Sequence, residues 1–465
     1  MRNNLVKPLI LLLIITFASI IAGCGNSKEQ KAKDYKTLNE LNNKTIGIQS
    51  GCGYEKLLEQ KNIKADIRFF AEGSDVYISA KTGKLDAFIT EDVCVPLVTK
   101  EYPGLKVIPG ILETKNSVMA FSNSSSREKY LAQINEFIND CNKDGTIESL
   151  KEYWIRNFDE EKCELAEVDF PKDSKTITIA FESTYPPFGY YKDNRPAGYD
   201  IDLLNRFCLK YGYKPEYVPL SYDSILPGLE TGKFDMGANI YITDERKESS
   251  IAFSEPYAEV NVLAAYISSD ATVESKSLLD SLTNSFYRIF VKESRWKMFL
   301  NGLGITVLIV LSSIVLGTLL GFILYLICRY SFRFRIFTNF VTIIIKSVPT
   351  VLFLMIFYYI IFSNSTALSV SILCFSILFG ISMYNMLEAG VKAVGENQLE
   401  AAIAQGFNDS SAFFYIILPQ AALHFLPAYR DEVISLIKET AVVGYIAVMD
   451  ITKTSDIIRG ITFEA

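Results

Sequence analysis

The spacing of apolar residues divides the chain into two kinds of region. In the first region, short apolar runs alternate with segments of helical period, a pattern that is typical of α/β folds. The predicted strands are 45–49, 66–70, 85–90, 105–108, 117–122, 176–181, 216–219, 234–237 and 251–257. The helices predicted between them are 53–60, 74–81, 92–101, 127–142, 146–157, 199–211 and 223–230.

A weak internal repeat indicates that this region contains two related lobes. Residues 81–86 read Lys-Thr-Gly-Lys-Leu-Asp, and residues 230–235 read Glu-Thr-Gly-Lys-Phe-Asp. In each copy, a helix is predicted to end at the glycine before the chain turns into a strand. A charged connector, 159–175, separates the two copies.

Long uncharged runs make up the second region. Residues 302–328 are long enough to span a bilayer as a helix, and 341–361 and 368–387 are further candidates. Residues 433–449 are a weaker candidate because two charged side chains interrupt the run. With 49% apolar residues, the composition also favours a chain that lies partly in a membrane.

Two further segments flank these regions. Residues 277–300 are amphipathic, which predicts an interfacial helix before the membrane domain at 301–465. At the other end of the chain, a basic start and an apolar run lead to Ile-Ala-Gly-Cys24, which is typical of a secretory signal over 1–24. This sequence resembles a lipobox, which implies that Cys24 is lipidated. An uncleaved anchor is the alternative, and either reading places the region after the tether 25–38 outside the cytoplasm.

A polar stretch rich in small residues, 400–419, lies between two of the apolar runs. Its start fits a short helix that Gly406 ends, and the Asp-Ser pair that follows can cap a second helix that Pro419 ends. Because such a polar knob cannot lie in lipid, it must project into water. A surface helical hairpin without a partner is the alternative.

The spacing of this stretch resembles the cytoplasmic coupling loop of ABC importer permeases. The resemblance implies that Glu400, Ala401, Ala402 and Gly406 seat in a groove of a separate ATPase subunit. It also implies a second permease subunit, in a homodimer or a heterodimer, with the transport pathway between the two. Because the family has one more span beyond residue 465, we expect the chain to be incomplete at its C-terminal end.

The sequence gives little sign of catalytic chemistry. A formal net charge of −7 gives no reason to expect nucleic acid as a partner. One His, with no paired C-x-x-C and no H-E-x-x-H motif, predicts neither a metal site nor a cofactor. Residues 228–233, GLETGK, are one residue short of a phosphate-binding loop, so a helix end is the better interpretation. We therefore expect that ATP hydrolysis belongs to the partner and that this chain is not an enzyme.

A second resemblance covers 178–265, which looks like the first lobe of an extracellular solute-binding protein of the polar amino-acid type. The motifs that carry it are Thr184-Tyr-Pro-Pro-Phe188, Gly198-Tyr-Asp-Ile-Asp-Leu203, Ile242-Thr-Asp-Glu-Arg246 and Phe253-Ser-Glu-Pro-Tyr257. Residues 41–154 look like the rest of that fold, in inverted order. We interpret the two segments as one circularly permuted domain, with lobe 2 and the return segment of lobe 1 at 39–158 and lobe 1 at 176–270. Two incomplete domains are the alternative.

The candidate ligand contacts follow from charge and from this resemblance. A zwitterion held between two lobes loses its hydration, so each of its charges needs an opposite charge or several dipoles. Arg246 can fork onto the ligand carboxylate, and the loop of Ser50, Cys52 and Gly53 can add backbone N–H groups. Glu91 stands where the family binds the ligand ammonium with Asp. The other positions that the resemblance places in the site are Glu182, Tyr185, Tyr222, Ala238 and Asn239.

Two departures from the family pattern leave the ligand open. Cys52 and Gly53 replace a pair of threonines, which removes hydroxyl donors, and Glu91 moves its carboxylate by about one methylene relative to Asp. The pocket is therefore expected to be reshaped. An ordinary structural role, such as a helix cap at Glu91, is the alternative for each of these residues.

The two resemblances imply a two-lobed, periplasmic-binding-protein-like α/β domain followed by an all-α transmembrane permease domain. The predicted function is the substrate-binding and membrane-spanning permease subunit of an ABC importer for polar amino acids. It would lie in the cell membrane, with its binding domain outside. The expected partners are the ATPase, the second permease subunit, an amino acid and the lipid bilayer. An amino-acid-gated channel or an extracellular amino-acid sensor is the alternative, although no Gly-rich filter motif favours a channel.

Overall fold

The structure, a computed structural model, describes residues 34–243, 246, 250–268 and 278–464. The predicted signal peptide with Cys24 lies outside these residues, as does most of the tether at 25–38. Those two predictions therefore stay predictions.

One mixed sheet runs through the α/β region. Its strands are β1 (Thr45–Gln49), β2 (Asp66–Phe70), β3 (Ala87–Glu91), β4 (Leu105–Phe121), β5 (Lys175–Glu182), β8 (Tyr213–Leu220), β9 (Met236–Tyr241), β10 (Ala252–Phe253) and β11 (Ala258–Ile267). A small hairpin of β6 (Tyr190–Lys192) and β7 (Arg195–Ala197) stands apart from it. The order across the sheet is β2-β1-β3-β11-β4-β9-β5-β8, and β10 pairs with β4.

Two long strands connect the lobes. β4 has 17 residues: most of its length pairs with β11, which also pairs with β3, and its last residues pair with β9 in the other lobe. The sequence predicted two short strands, 105–108 and 117–122, in place of β4, and it missed β11. β1–β4 lie in one sheet with β5 and β8–β11, an arrangement that favours one permuted domain over two incomplete domains.

The two lobes have matching strand orders, as the internal repeat predicted. β1 pairs in parallel with β2 and β3 in one lobe, and β5 pairs in parallel with β8 and β9 in the other. The Asp86 carboxylate accepts a hydrogen bond from the backbone N of Thr45 in β1 at 3.0 Å. The Asp235 carboxylate accepts the equivalent bond from Thr178 in β5 at 2.9 Å. The repeat therefore marks equivalent positions of the two lobes.

Helices cover both faces of the sheet. They are α1 (Tyr54–Gln60), α2 (Gly73–Lys81), α3 (Val95–Glu101), α4 (Arg127–Lys143), α5 (Thr146–Lys151), α6 (Tyr199–Tyr211) and α7 (Tyr222–Glu230). Trp154 follows α5, is fully buried, and donates from its indole N–H to the Asp202 carboxylate in α6 at 2.9 Å. This contact fastens the end of the first half of the domain to the lobe built by the second half.

The chain from residue 278 onward is helical. The helices are α8 (Leu278–Phe286), α9 (Trp296–Tyr330), α10 (Phe332–Ser347), α11 (Thr350–Met355), α12 (Ala367–Val394), α13 (Glu396–Ala404), α14 (Asp409–Ala412), α15 (Leu418–Glu439) and α16 (Ile451–Thr462). Within the described residues, three helical segments are long and apolar enough to cross a membrane: 296–330, 367–394 and 409–446. A fourth is possible if α10 and the helix 350–361 form one bent span.

The span predicted at 341–361 is not a straight helix. α10 ends at Ser347, and the chain bends by 103° into α11, which continues as a π-helical turn over Ile356–Ile361. Pro349 explains the break, because proline lacks an N–H group and disfavours a helical conformation in the residue before it.

Pro419 does not end a helix, contrary to the prediction. Helical backbone runs from Asp409 through a π-helical turn, Phe413–Ile417, into α15 and on to Ile446. Pro419 stands in the first turn of α15, where a missing N–H group is tolerated. The weak candidate span 433–449 is therefore the end of a longer helical segment.

The predicted interfacial segment 277–300 is not one continuous helix in its described part. α8 runs into a π-helical turn, Glu293 breaks the helix with a φ of 55°, and α9 begins at Trp296. Arg288, on the predicted polar face, pairs with Glu101 of the α/β region at 2.8 Å. The charge of Arg288 is thus paired with a carboxylate of the α/β region.

Candidate functional site

Four strand ends meet where the two lobes face each other, and we call this space the interlobe cleft. Gln49 ends β1 and Glu91 ends β3 in one lobe, while Glu182 ends β5 and Tyr241 ends β9 in the other. The Gln49 amide donates to the Glu182 carboxylate across the cleft at 2.5 Å, and the hydroxyls of Tyr185 and Tyr241 are 3.1 Å apart. The cavity beside Glu91, Glu182 and Tyr185 has a volume of only about 20 Å³. Because this is about the space of one water, an amino acid can enter only if the lobes separate.

Arg246 reaches from one lobe to the other. Its guanidinium donates to the backbone oxygen of Gly51 in the opposite lobe at 2.5 Å and to the Tyr222 hydroxyl at 3.1 Å. Tyr222 is buried, and its hydroxyl also accepts a hydrogen bond from the backbone N of Tyr241 at 3.0 Å. Tyr222 therefore fixes the guanidinium of Arg246 relative to the end of β9.

Glu91 is buried at the end of β3. Its carboxylate accepts a hydrogen bond from the Tyr54 hydroxyl, and the Cys94 thiol lies 3.9 Å away. Burial raises the pKa of Glu91 to about 7, and the charge of Lys115 opposes part of that rise. At neutral pH this group is near its ionisation point, so a cation entering the cleft would favour its charged form.

Glu182 is buried on the opposite side of the cleft. Burial, and after it the charge of Glu72, raises the pKa of Glu182 to about 8. Glu72 belongs to the other lobe, accepts a hydrogen bond from the Thr184 hydroxyl, and lies 3.3 Å from the ammonium of Lys453 in α16. Two carboxyl groups, one from each lobe, thus meet beside a cation from the helical region.

Lys115, on β4, is a buried cation that no sequence pattern indicated. Its side chain is 6% exposed, and its ammonium donates to the backbone oxygen of Cys52 at 2.6 Å. The ammonium also lies over the rings of Tyr54, at 4.7 Å, and Tyr241, at 5.5 Å. The predicted strands left residues 109–116 unassigned, so no local pattern marked this lysine as buried.

Three of the predicted contact residues take part in the sheet or lie buried beside it. Ala238 and Asn239 are buried within β9, and the backbone N of Asn239 donates to the Tyr257 hydroxyl at 3.1 Å. The backbone N–H of Ser50 extends the sheet by donating to Phe70 at 2.8 Å. That N–H group is therefore already used within the sheet, and the role of this loop in binding a ligand stays a prediction.

A groove of about 410 Å³ opens beside the cleft. Gly51 and Gly53 form one part of its wall, and Lys115 and Arg246 form another. Gly53 has a φ of 72°, which glycine adopts without strain. The loop predicted to face the ligand thus borders a groove whose lining includes the cations Lys56, Lys115 and Arg246.

The stretch 400–419 begins with an exposed helical elbow formed by α13 and α14. Gly406 ends α13 with a φ of 92°, as its predicted role requires. The cap of the next helix is Asn408, whose side chain accepts a hydrogen bond from the backbone N of Ser411 at 2.7 Å. The prediction of an Asp-Ser pair as the cap was therefore wrong by one or two residues.

The elbow presents apolar as well as polar side chains. Glu400 and Ala401 are exposed, whereas Ala402 is buried against its neighbours. Ile403 is 51% exposed and Phe407 is 38% exposed. Exposed apolar side chains on a protruding polar loop are typical of a protein interaction surface.

Two α/β lobes, two connecting strands and a charged cleft define the class of the first region as a two-lobed solute-binding protein, here continuous with a helical membrane region. The sequence profile of the bacterial extracellular solute-binding proteins, family 3, matches residues 177–410, and the chain belongs to this family. Strands β1 to β4 precede the matched segment, yet they complete the same sheet.

The proteins to which this chain is similar include transport permeases and a binding protein. The chain is 32% identical over 161 residues to the arginine transport system permease protein of Bacillus subtilis, which covers 33% of this chain and 73% of that protein. It is 35% identical over 153 residues to the glutamate transport system permease protein of Corynebacterium glutamicum, which covers 30% of this chain and 54% of that protein. A "Probable histidine-binding protein" of Campylobacter jejuni is 29% identical over 106 residues, covering 23% of this chain and 41% of that protein. The chain thus joins a solute-binding part to a part related to amino-acid transport permeases.

Proposed function

We propose that this chain is the substrate-binding and membrane-spanning subunit of an ABC importer for polar amino acids. The observation that carries the proposal is that one chain contains a solute-binding fold packed directly against apolar helices related to transport permeases. Lys233 of the solute-binding fold donates to the backbone oxygens of Ser363 and Ser365, at 2.7 and 2.6 Å. The two regions therefore share contacts other than the covalent link.

The elbow lies at the opposite end of α9 from these contacts. Near its start, α9 packs closely on α16: a Cβ added at Gly302 would lie only 2.7 Å from the hydroxyl of Thr454 in α16. Near its end, Arg329 pairs with Asp409 of the elbow at 2.6 Å. Over the 35 residues of α9 the two ends are about 50 Å apart, which exceeds the roughly 30 Å hydrocarbon core of a bilayer. With the binding region outside the cell, the elbow faces the cytoplasm.

In this proposal, the interlobe cleft captures the amino acid and the elbow receives the force of ATP hydrolysis. Arg246 pairs with the ligand carboxylate, and Glu91 provides negative charge for its ammonium. A separate ATPase grips Glu400 and its neighbours Ala401, Ala402 and Gly406. A second permease subunit completes the pathway.

Copurification tests the coupling. We expect the full chain, expressed in its native host, to carry an ATPase subunit whose hydrolysis rises when amino acid is added. Glu400→Lys combined with Gly406→Val should abolish copurification, while Lys61→Glu, a change at an exposed residue of the α/β region, should leave it intact. An amino-acid-evoked current with no associated ATPase would instead establish a channel and refute the proposal.

A further inference from the structure

We infer that the cleft selects an amino acid whose side chain carries a carboxylate, with Lys115 as the residue that recognises this second carboxylate. The inference rests on the proposed function and adds the substrate class to it. Its basis is the number of charges that the cleft and the adjoining groove bring together.

A neutral amino acid presents one cation and one anion. Arg246 can pair with the α-carboxylate, and Glu91 can pair with the ammonium, so these two residues already satisfy a zwitterion. Glu182 adds little negative charge near neutral pH because burial raises its pKa to about 8. The neighbouring Glu72 has its own cation in Lys453, at 3.3 Å. Lys115 is thus a second cation in a site that needs only one.

The contacts of Lys115 hold its ammonium in place and do little to neutralise it. Among the described residues, the ammonium donates to one neutral oxygen, that of Cys52, and faces two tyrosine rings. The carboxylate of Glu113 is 4.0 Å away and 44% exposed, so solvent screens most of that attraction. The carboxyl group of Glu91 also acts on this ammonium, but it is only partly ionised at neutral pH because burial raises its pKa to about 7. A buried cation with so little opposing charge is costly, and a ligand carboxylate in the groove would offset this cost.

The groove has the space and the charge for such a group. Its volume of about 410 Å³ lies in the usual range for small-molecule pockets. Among the described residues that line it, three are cations, Lys56, Lys115 and Arg246, and two are carboxylates, Glu55 and Glu113, which leaves one positive charge in excess within this set. Gly51 and Gly53 line the same groove and add no side chain to it. A short acidic side chain can therefore reach Lys115 while the α-carboxylate stays near Arg246.

Titration calorimetry on the full chain in detergent tests the inference, with L-glutamate, L-aspartate, L-glutamine, L-asparagine, L-histidine and L-arginine as probes. We expect an acidic amino acid to bind more tightly than its amide. Lys115→Met should weaken the acidic ligand by about 30-fold or more and change the affinity for the amide by less than threefold. Lys106→Met, on the exposed side of the same strand, is the matched control and should change neither affinity.

The outcomes separate this inference from the proposed function. Tighter binding of a neutral or basic amino acid would overturn the substrate class and leave the importer proposal standing. Binding of none of the six probes would refute both. Because loss of Lys115 could disturb folding, Lys115→Arg serves as a second variant: it keeps the positive charge and should retain the preference for the acidic ligand over its amide. Loss of that preference in a folded Lys115→Arg protein would also count against the inference.

Discussion

The ion pair between Lys453 of α16 and Glu72 of the α/β region should be the strongest polar contact between the two parts of the chain. Its side chains are 4% and 6% exposed, and the charged atoms are 3.3 Å apart. Lys453→Met leaves the Glu72 carboxylate buried without its cation, which typically costs about 3–5 kcal/mol. The nearby pair of Arg459 with Asp75 is 3.1 Å long, but its side chains are 33% and 30% exposed. Removing it should cost about 1 kcal/mol or less because solvent screens the charges.

Hydrogen exchange of α16 in the full-length protein measures these costs directly. Lys453→Met should reduce backbone protection in residues 451–462 by more than about 100-fold, whereas Arg459→Met should reduce it by less than about tenfold. Adding Glu72→Gln to Lys453→Met should restore most of the protection, since no buried charge then remains unpaired. Equal losses of protection in Lys453→Met and Arg459→Met would refute this account of the contact. So would a double variant whose loss of protection equals the sum of the losses caused by Lys453→Met and Glu72→Gln.

Two further predictions concern the membrane helices and the cleft. A Cβ at Gly321 would lie 2.6 Å from the Cβ of Met383 and closer still to a backbone oxygen of α12, so Gly321→Val should abolish monodisperse protein in size-exclusion chromatography. Gly304→Val, where no heavy atom lies within 4 Å of the Cβ position, is the control and should elute normally. Burial raises the pKa of Glu182 from 4.5 to about 8. Below about pH 4.5 this carboxyl is protonated in the folded and the unfolded states, and between about pH 4.5 and 8 the folded state keeps a proton that the unfolded state releases, which lowers stability as the pH rises. The melting temperature should therefore fall across this range, and Glu182→Gln should reduce that slope; an unchanged slope would contradict the assigned burial.

Local pattern was enough to predict the elements whose burial repeats regularly. β1 and α6 have the bounds that the sequence predicted, because each buries one continuous run or face. β2 also has its predicted bounds, although its residues are exposed or half-buried. β4 was not predicted as one strand because it crosses from one lobe to the other and has irregular burial along its 17 residues. β11 was missed as part of the same crossing, since its register on β4 shifts at two points.

The residues of the site also divide into those that the sequence predicted and those that it did not. Arg246 was predicted from a short motif and Glu91 from the family resemblance, and both stay predicted ligand contacts. In the structure Arg246 contacts Gly51 of the opposite lobe, and Glu91 is buried at the end of β3. Lys115 and the pair of Glu72 with Lys453 were not found, because their roles arise from contacts across 63 and 381 residues of sequence. No window along the chain contains both partners of such a contact, so only the folded structure reveals it.

The position of α16 links the state of the cleft to the helical region. Lys453 pairs with Glu72 in one lobe, while Gly460 packs so closely on Thr184 in the other that a Cβ there would lie 2.7 Å from the threonine side chain. Thr184 in turn donates to Glu72, so three parts of the chain meet at one carboxylate. Separation of the lobes must break the bond between Thr184 and Glu72 and at least one contact of α16. Closure of the lobes and the packing of α16 against them are thermodynamically coupled. To the extent that closure requires α16 to be packed, a ligand that favours the closed state by a given factor favours the packed position of α16 by the same factor.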